Sequence, residues 1–259
     1  MEDAATREGA AAHEQLALIA AGGEGRRLGS LGPKALVECA GRPLLGWTLD
    51  AFAGSAAFAR GAGLVVVAAH AAELEAFEAA CVPARERGLA VVVTPGGPSR
   101  SHSVAAALRA GIEAQDRTRA GAVFVHDAAR IFVTGELIDG LATAIATAEG
   151  DVDGVIAAHP VADTIKLVDA DRVVVETPPR ERLWAVQTPQ VFRRSALAAA
   201  LGLTSTVSDD RLAAATDDAS LVETSGGKVT VFQWTAANGK ITTPEDLAAA
   251  ESLLTRSGS

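Results

Sequence analysis

Tyrosine is absent from this chain of 259 residues, and aromatic residues make up only 4% of it. Apolar residues still reach 49%, so alanine and valine are expected to fill much of a large core, with packing resting on small and branched side chains. Cysteine is scarce as well. Cys39 and Cys81 belong to no CxxC pair and no Cys/His cluster. That argues against a disulfide framework or structural zinc and for buried thiols in a reducing cytosol. Cationic excess is also missing: 23 Lys and Arg stand against 32 Asp and Glu, a formal net charge of -9. Such a surface argues against non-specific binding to nucleic acid or to an anionic membrane. Met1 to Gln15 lack a basic stretch followed by an apolar one, and no apolar run approaches membrane-spanning length. The expectation is a soluble, cytoplasmic protein with residues 1–15 as a flexible tail.

What is present is a regular alternation. Short apolar runs at Leu16–Ala20, Leu64–Ala68, Leu89–Val93 and Ala122–Val125 read as buried strands. Helical patterns at Pro43–Ala53, Ala71–Cys81, Ser103–Ala114 and Leu137–Ala148 follow them in turn. The pattern predicts an α/β fold: a Rossmann-like, mostly parallel sheet flanked by helices, with ligands beyond the carboxyl ends of the strands. After a further strand at Gly154–Ala158 the alternation breaks. TIKLV and VVVET flank the polar turn Asp169–Arg172 and predict a β-hairpin, placed at about residues 160–182 as a protruding arm. Helices are expected again at Ser195–Leu201, Asp218–Thr224 and Pro244–Leu254, the last capped by Thr243, with a strand at Val229–Phe232. One domain over residues 16–255 accounts for the pattern.

Three polar loops follow predicted strands. The first runs from Ala21 through Gly22, Gly23, Gly25, Arg26 and Arg27 to Pro33 and Lys34. Glycines let backbone amides approach a phosphate, and the cations add charge where a triphosphate sits. The loop is neither a Walker A motif nor GxGxxG. The second, Gly96–Ser103, offers small residues and hydroxyls suited to a base or ribose. The third is His126-Asp127-Ala128-Ala129-Arg130. An Asp at a strand end binds Mg²⁺ or a sugar hydroxyl, or merely caps a turn, and His126 reads as a structural hydrogen-bonder. No nucleophilic Ser/His/Asp or Cys/His arrangement is visible in the sequence.

Taken in order, A-G-G-E-G-R-R-L-G with P-K, G-G-P-S-R-S-H-S-V, H-D-A-A-R, P-V-A-D-T-I-K, T-P-P-R before L-W-A-V-Q-T-P-Q, T-D-D-A-S and G-K-I-T-T-P-E-D-L make a specific set. Over roughly Leu16 to Leu254 the chain resembles the 2-C-methyl-D-erythritol 4-phosphate cytidylyltransferase family. The resemblance implies transfer of CMP from CTP to the polyol phosphate with release of pyrophosphate, in non-mevalonate isoprenoid synthesis. Ribitol 5-phosphate, or another polyol phosphate, is the alternative acceptor. A more distant alternative is another nucleotidyltransferase, guanylyl or uridylyl, and a remote one is a catalytically silent binding homologue.

The resemblance assigns Arg27, Lys34, Arg180 and Lys240 to catalysis. It assigns Ala21, Gly22, Gly23, Lys34, Gly97, Ser103, Asp127 and Ala128 to CTP. Asp127, Arg130, Thr164, Arg180, Thr216 and Lys240 fall to the polyol phosphate. It further implies Mg²⁺ held mainly by the CTP phosphates, with no certain protein ligand, and a homodimer whose hairpin arm carries Thr164 and Arg180 into the partner's site. Ala20, Ile131, Ala162 and Gly239 depart from the family's usual residues, and none is a proposed catalytic side chain. The chain stops soon after Leu254, so no fused cyclodiphosphate synthase is expected.

Overall fold

The computed structural model describes residues 15–23, 25, 28–29, 32–59, 62–115 and 121–257. Residues 1–14 of the expected tail, and Glu24, Arg26 and Arg27 of the first loop, lie outside the described residues, while Gln15 opens the first strand.

The elements follow in chain order: β1 (Gln15–Ala20), β2 (Glu38–Cys39), β3 (Arg42–Pro43), α1 (Leu44–Gly54), β4 (Gly63–Ala69), α2 (Leu74–Glu86), β5 (Ala90–Pro95), α3 (Arg100–Ala114), β6 (Ala122–Asp127), α4 (Gly135–Thr147), β7 (Val152–Pro160), β8 (Leu167–Val168), β9 (Val174–Glu176), β10 (Trp184–Arg193), α5 (Arg194–Ala200), α6 (Asp209–Ala214), α7 (Asp218–Thr224), β11 (Lys228–Gln233) and α8 (Pro244–Ser257). The main sheet has seven strands in the order β11-β7-β10-β6-β1-β4-β5. β1 pairs in parallel with both β4 and β6, and β5 continues parallel to β4. The chain therefore leaves β1 toward one edge and returns to the other side of β1 at β6. This switch point is where a crevice opens beyond the strand ends.

Successive residues of β1 face opposite sides of the sheet. Ala17 and Ile19 pack with Leu49, Phe52, Phe77 and Leu141 on one face. Leu16 and Leu18 pack with Val104, Leu108, Leu197 and Leu221 on the other. Each fully buried Leu, Ile or Phe contributes on the order of 1.5–3 kcal/mol of transfer free energy. The core is not built from small and branched residues alone. Phe52, Phe58, Phe77, Phe124 and Phe192, five of the seven phenylalanines, are fully buried. The few aromatics are thus concentrated where they matter, with Phe58 edge-on to Phe52 at 5.0 Å and to Phe124 at 5.3 Å.

β10 is a strand that the apolar pattern did not reveal. It runs antiparallel between β6 and β7. Its pairing is irregular between Val186 and Gln190, where Gln187, Thr188 and Pro189 interrupt the apolar run. A proline and buried polar residues inside a central strand hide it from a hydrophobicity reading. The helix Asp209–Ala214 also lay outside the expected elements.

The predicted hairpin is present as β8 and β9, which pair antiparallel with each other in a sheet of their own. Thr243 caps α8 as expected. Its hydroxyl accepts from Asp246 N–H at 3.3 Å, and Asp246 Oδ2 accepts from Thr243 N–H at 2.9 Å, a reciprocal capping box. Ile131, a departure from the family pattern, is buried beside Cys39, Leu44 and Ile241 under α8.

Candidate active site

A cleft of about 600 Å³ opens over the carboxyl ends of β1, β4, β5 and β6. Its first wall is the loop after β1. Ala21 N–H still donates to Ala68 of the neighbouring strand, at 3.0 Å, before the chain turns into Gly22 and Gly23. Lys34 N–H then donates to Gly23 C=O at 2.8 Å, which brings Lys34 back to the loop's base. Gly25 sits at φ +64°, and a Cβ there would lie 2.9 Å from Gly32 C=O, so a side chain is excluded twice over.

The second wall leaves β5. Gly96 N–H donates to Ala69 C=O at 2.7 Å, and Gly97 N–H donates to Ser103 Oγ at 3.1 Å. The Ser103 hydroxyl donates to Ser99 C=O at 2.9 Å, and Ser99 caps α3. A Ser99–His102–Asp209 line does form here, which the sequence did not suggest: Ser99 Oγ lies 2.7 Å from His102 Nδ1. Asp209 stands 3.6 Å from His102 Nε2 with its side chain 94% exposed, too loose and too wet to orient a catalytic base. The arrangement serves as a helix cap.

Asp127, at the end of β6, is the centre of the third wall. Its Oδ1 accepts from Arg100 Nε at 2.9 Å and its Oδ2 from Lys240 Nζ at 2.7 Å. Burial raises its pKa, yet the two cations outweigh burial and hold the carboxyl well below the usual carboxylate range. Its own N–H donates to Thr188 Oγ at 3.1 Å, and the Thr188 hydroxyl lies 3.0 Å from His126 Nδ1. His126 Nε2 lies 3.3 Å from Arg130 C=O, which can only accept, so Nε2 carries the proton and Nδ1 accepts from Thr188. His126 is fully buried, and that burial pushes its pKa down to about 4. It is the structural hydrogen-bonder its position suggested. The polar residues that hid β10 thus support the site: Asn238 Nδ2 donates to Gln187 Oε1 at 3.2 Å and to Thr188 C=O at 2.9 Å.

Ala21, Gly22, Gly23, Lys34, Gly97, Ser103, Asp127, Ala128 and Lys240 all line this cleft. Arg130, Thr164, Arg180 and Thr216 are not part of its wall. Arg130 Nη1 donates to Asn238 C=O at 2.8 Å just behind it. Arg180 is exposed and donates to Ala162 C=O at 2.8 Å, at another of the departures. Thr164 and Thr216 are exposed. Arg27 lies outside the described residues. Two residues of the network carry no expected role: Arg100, and the fully buried Asp218 that accepts from Arg100 Nη1 at 2.6 Å. Both stand inside quoted motifs, but no local signal pairs positions 118 residues apart.

Among the described residues no group of three or more His, Cys, Asp or Glu is placed to hold a metal ion. Asp127 is the carboxylate of the cleft wall, and both its oxygens already accept from cations. Such a site fits a divalent cation that brings phosphate and water ligands with it, not one caged by protein. No described helix is long and apolar enough to cross a membrane.

Backbone amides and lysines gathered at the switch point of a mostly parallel sheet suit the phosphates of a nucleotide, and the solved structures this chain resembles give the class, an α/β nucleotidyltransferase. Comparison with known proteins narrows it. The family model described as "IspD: 2-C-methyl-D-erythritol 4-phosphate cytidylyltransferase" matches residues 15–256. A protein of that name from Frankia casuarinae is 42% identical over 243 residues, covering 93% of this chain and 81% of its own length. One from Microcystis aeruginosa is 38% identical over 239 residues, covering 92% and 98%. The crystal structure of the 2-C-methyl-D-erythritol 4-phosphate cytidylyltransferase from Thermus thermophilus superimposes with a TM-score of 0.68 at 31% identity, covering 92% of this chain and 98% of that one. The chain belongs to the 2-C-methyl-D-erythritol 4-phosphate cytidylyltransferase family.

Proposed function

We infer that this chain transfers CMP from CTP to 2-C-methyl-D-erythritol 4-phosphate, giving 4-diphosphocytidyl-2-C-methyl-D-erythritol and pyrophosphate in the non-mevalonate pathway. A phosphate oxygen of the acceptor forms a bond to the α-phosphorus of CTP, and the bond from that phosphorus to the β-phosphate bridging oxygen breaks. The protein's work is to bring together two anions that repel each other and to stabilise the added charge. The carrying observation is that Lys34 and Lys240 line one cleft from opposite ends of the chain, beside the glycines that follow β1 and β5.

Within this reading Gly22, Gly23, Gly97 and Ser103 bind CTP, and Lys34 with Arg27 stabilises charge at the α-phosphate. Lys240, held by Asp127, receives the acceptor's phosphate, with Arg130, Thr216 and the hairpin residues Thr164 and Arg180. Asp127, with a cation on each oxygen, acts by holding Lys240 rather than as a base. Mg²⁺ carried on the triphosphate supplies charge neutralisation and orients the phosphates. A homodimer brings Thr164 and Arg180 to the partner's cleft. What supports this is the exposed apolar run on β8, β9 and their turn, with Leu167 52%, Val173 60% and Val175 58% exposed. An isolated two-stranded hairpin is marginal in water and gains stability from a partner surface. We place the enzyme in the cytoplasm, where buried thiols such as Cys39 and Cys81 stay reduced, and take residues 16–255 as its one catalytic domain.

Pyrophosphate release measured for each of four nucleoside triphosphates against methylerythritol phosphate and ribitol 5-phosphate tests the reading. Turnover is expected with CTP and methylerythritol phosphate. Equal turnover of UTP would overturn the nucleotide assignment, because discrimination needs hydrogen bonds to the cytosine amino edge.

A further inference from the structure

Arg100 occupies the first position of α3, and no acidic residue lies in that first turn. Unpaired backbone N–H groups make a helix N-terminus electropositive, so a cation is disfavoured there. The guanidinium is instead gripped by carboxylates of two other elements, Asp127 through Nε and Asp218 through Nη1. Asp218 is fully buried at the start of α7 and is not part of the cleft wall, and its second oxygen has no partner among the described residues. A buried carboxylate with half its acceptor capacity unused is costly and needs a reason. Its place in the network supplies one. Charges alternate along Asp218, Arg100, Asp127 and Lys240, each link made through a different atom, at 2.6, 2.9 and 2.7 Å.

We propose that Arg100 and Asp218 are positioning residues for Lys240. Asp218 fixes the plane of the guanidinium. The guanidinium pins Oδ1 of Asp127, and the carboxylate thereby presents Oδ2 to the Lys240 ammonium, fixing that ammonium where the acceptor's phosphate arrives. A planar fork with donors on separate nitrogens spans two carboxylates at once, whereas an ammonium is a single point charge that cannot hold both in fixed orientation. Arg100 lines the cleft, and Asp218 lies outside its wall and acts only through Arg100, as outer partners set the geometry of groups that meet substrate.

The inference rests on the assignment of Lys240 to the polyol phosphate, and a double-mutant cycle separates the two. Steady-state kinetics are measured for K240A, D218N, R100K and the doubles D218N/K240A and R100K/K240A, with thermal unfolding of each. D218N and R100K are each expected to lower kcat/KM for the polyol phosphate by about 10–100-fold. KM for CTP should change less than kcat/KM for the polyol phosphate, since the chain of contacts ends at Lys240. In the K240A background both should become nearly silent, costing less than about threefold, because the group they position is gone. If K240A alone leaves turnover unchanged, the assignment of Lys240 fails and the inference with it. If K240A is impaired but D218N costs its full factor in that background, the inference alone is wrong. Wild-type kinetics for R100K would also overturn it, since charge without the fork would then suffice. Should D218N fail to fold, the R100K arm completes the cycle.

Discussion

Asp127 Oδ2 and Lys240 Nζ meet at 2.7 Å although 113 residues separate them in sequence. One sits at the end of β6 and the other between β11 and α8, so the pair ties the last segment of the chain to the centre of the sheet. Because Arg100 occupies the other oxygen, the carboxylate is held ionised, and protonation does not release Lys240 anywhere near neutral pH. The titration that matters at lower pH is that of its neighbour, His126.

His126 predicts a pH dependence of stability. Its folded pKa of about 4 lies below the ordinary value near 6.5, so the unfolded chain binds more protons between those limits. Stability from this group is therefore complete above about pH 6.5 and declines as pH falls toward 4, by on the order of 3 kcal/mol. Asp127 contributes above its unfolded pKa and keeps its share throughout this window. Asp218 runs the other way, since burial raises its pKa against the pull of Arg100. Urea unfolding of wild type and H126N across pH 4–7 isolates the histidine. H126N should lose a fixed increment at pH 7 and show a shallower slope below it; equal slopes would mean that His126 titrates normally in the folded state.

Lys34→Ala should lower kcat far more than it raises KM for CTP. The residue is fixed by its own N–H on Gly23 C=O at 2.8 Å, on the cleft wall where the proposed function puts the α-phosphate. One such cation contributes on the order of 10²–10³ in rate. Single-turnover and steady-state rates with saturating CTP measure it, and a kcat near wild type would show that Lys34 plays no such part.

Gly22→Ala separates folding from binding. A Cβ built at Gly22 meets only Ser103 Oγ, at 3.8 Å, so the fold has room for it. Gly22 lines the cleft, however, and a methyl there keeps a phosphate from the backbone amides. The melting temperature should stay within about 2 °C of wild type while KM for CTP rises roughly tenfold, the equivalent of about one lost hydrogen bond. Unchanged CTP affinity would move the triphosphate away from this loop.

The parallel half of the sheet was legible because β1, β4 and β6 are buried on both faces and read as apolar runs, and β5, half-buried at the sheet edge with Val91 alone buried, keeps the same apolar run. The same logic failed at β10. Gln187, Thr188 and Gln190 are buried for their hydrogen bonds to Asn238, Asp127 and Asp217, so the site's own supports erased the strand's apolar signature. That the first two loops line one cleft was legible because each follows a strand directly and carries glycine beside a cation or hydroxyl. Arg100 and Asp218 were not, since a partner 118 residues away leaves no local trace. Nor does the chain by itself bring Thr164, Arg180 or Thr216 to the cleft wall, and that gap leads to the last prediction.

Arg180 acts in trans if the hairpin reaches the partner's cleft. In its own chain it is exposed and donates to Ala162 C=O, away from Lys34. The assembly we propose allows complementation. K34A and R180A are each expected to be nearly inactive. Dissociated, mixed equally and reassociated at random, half of the dimers become mixed. In a mixed dimer, one site combines the Lys34 defect of one subunit with the Arg180 defect of the other, and the second site has neither. Half of the dimers with one good site in two restores roughly a quarter of wild-type activity under two-fold symmetry. Subunit exchange is verified separately, by mass spectrometry of differently tagged chains. Activity no higher than that of the parents, with exchange proven, would place Arg180 in its own chain's site or outside catalysis.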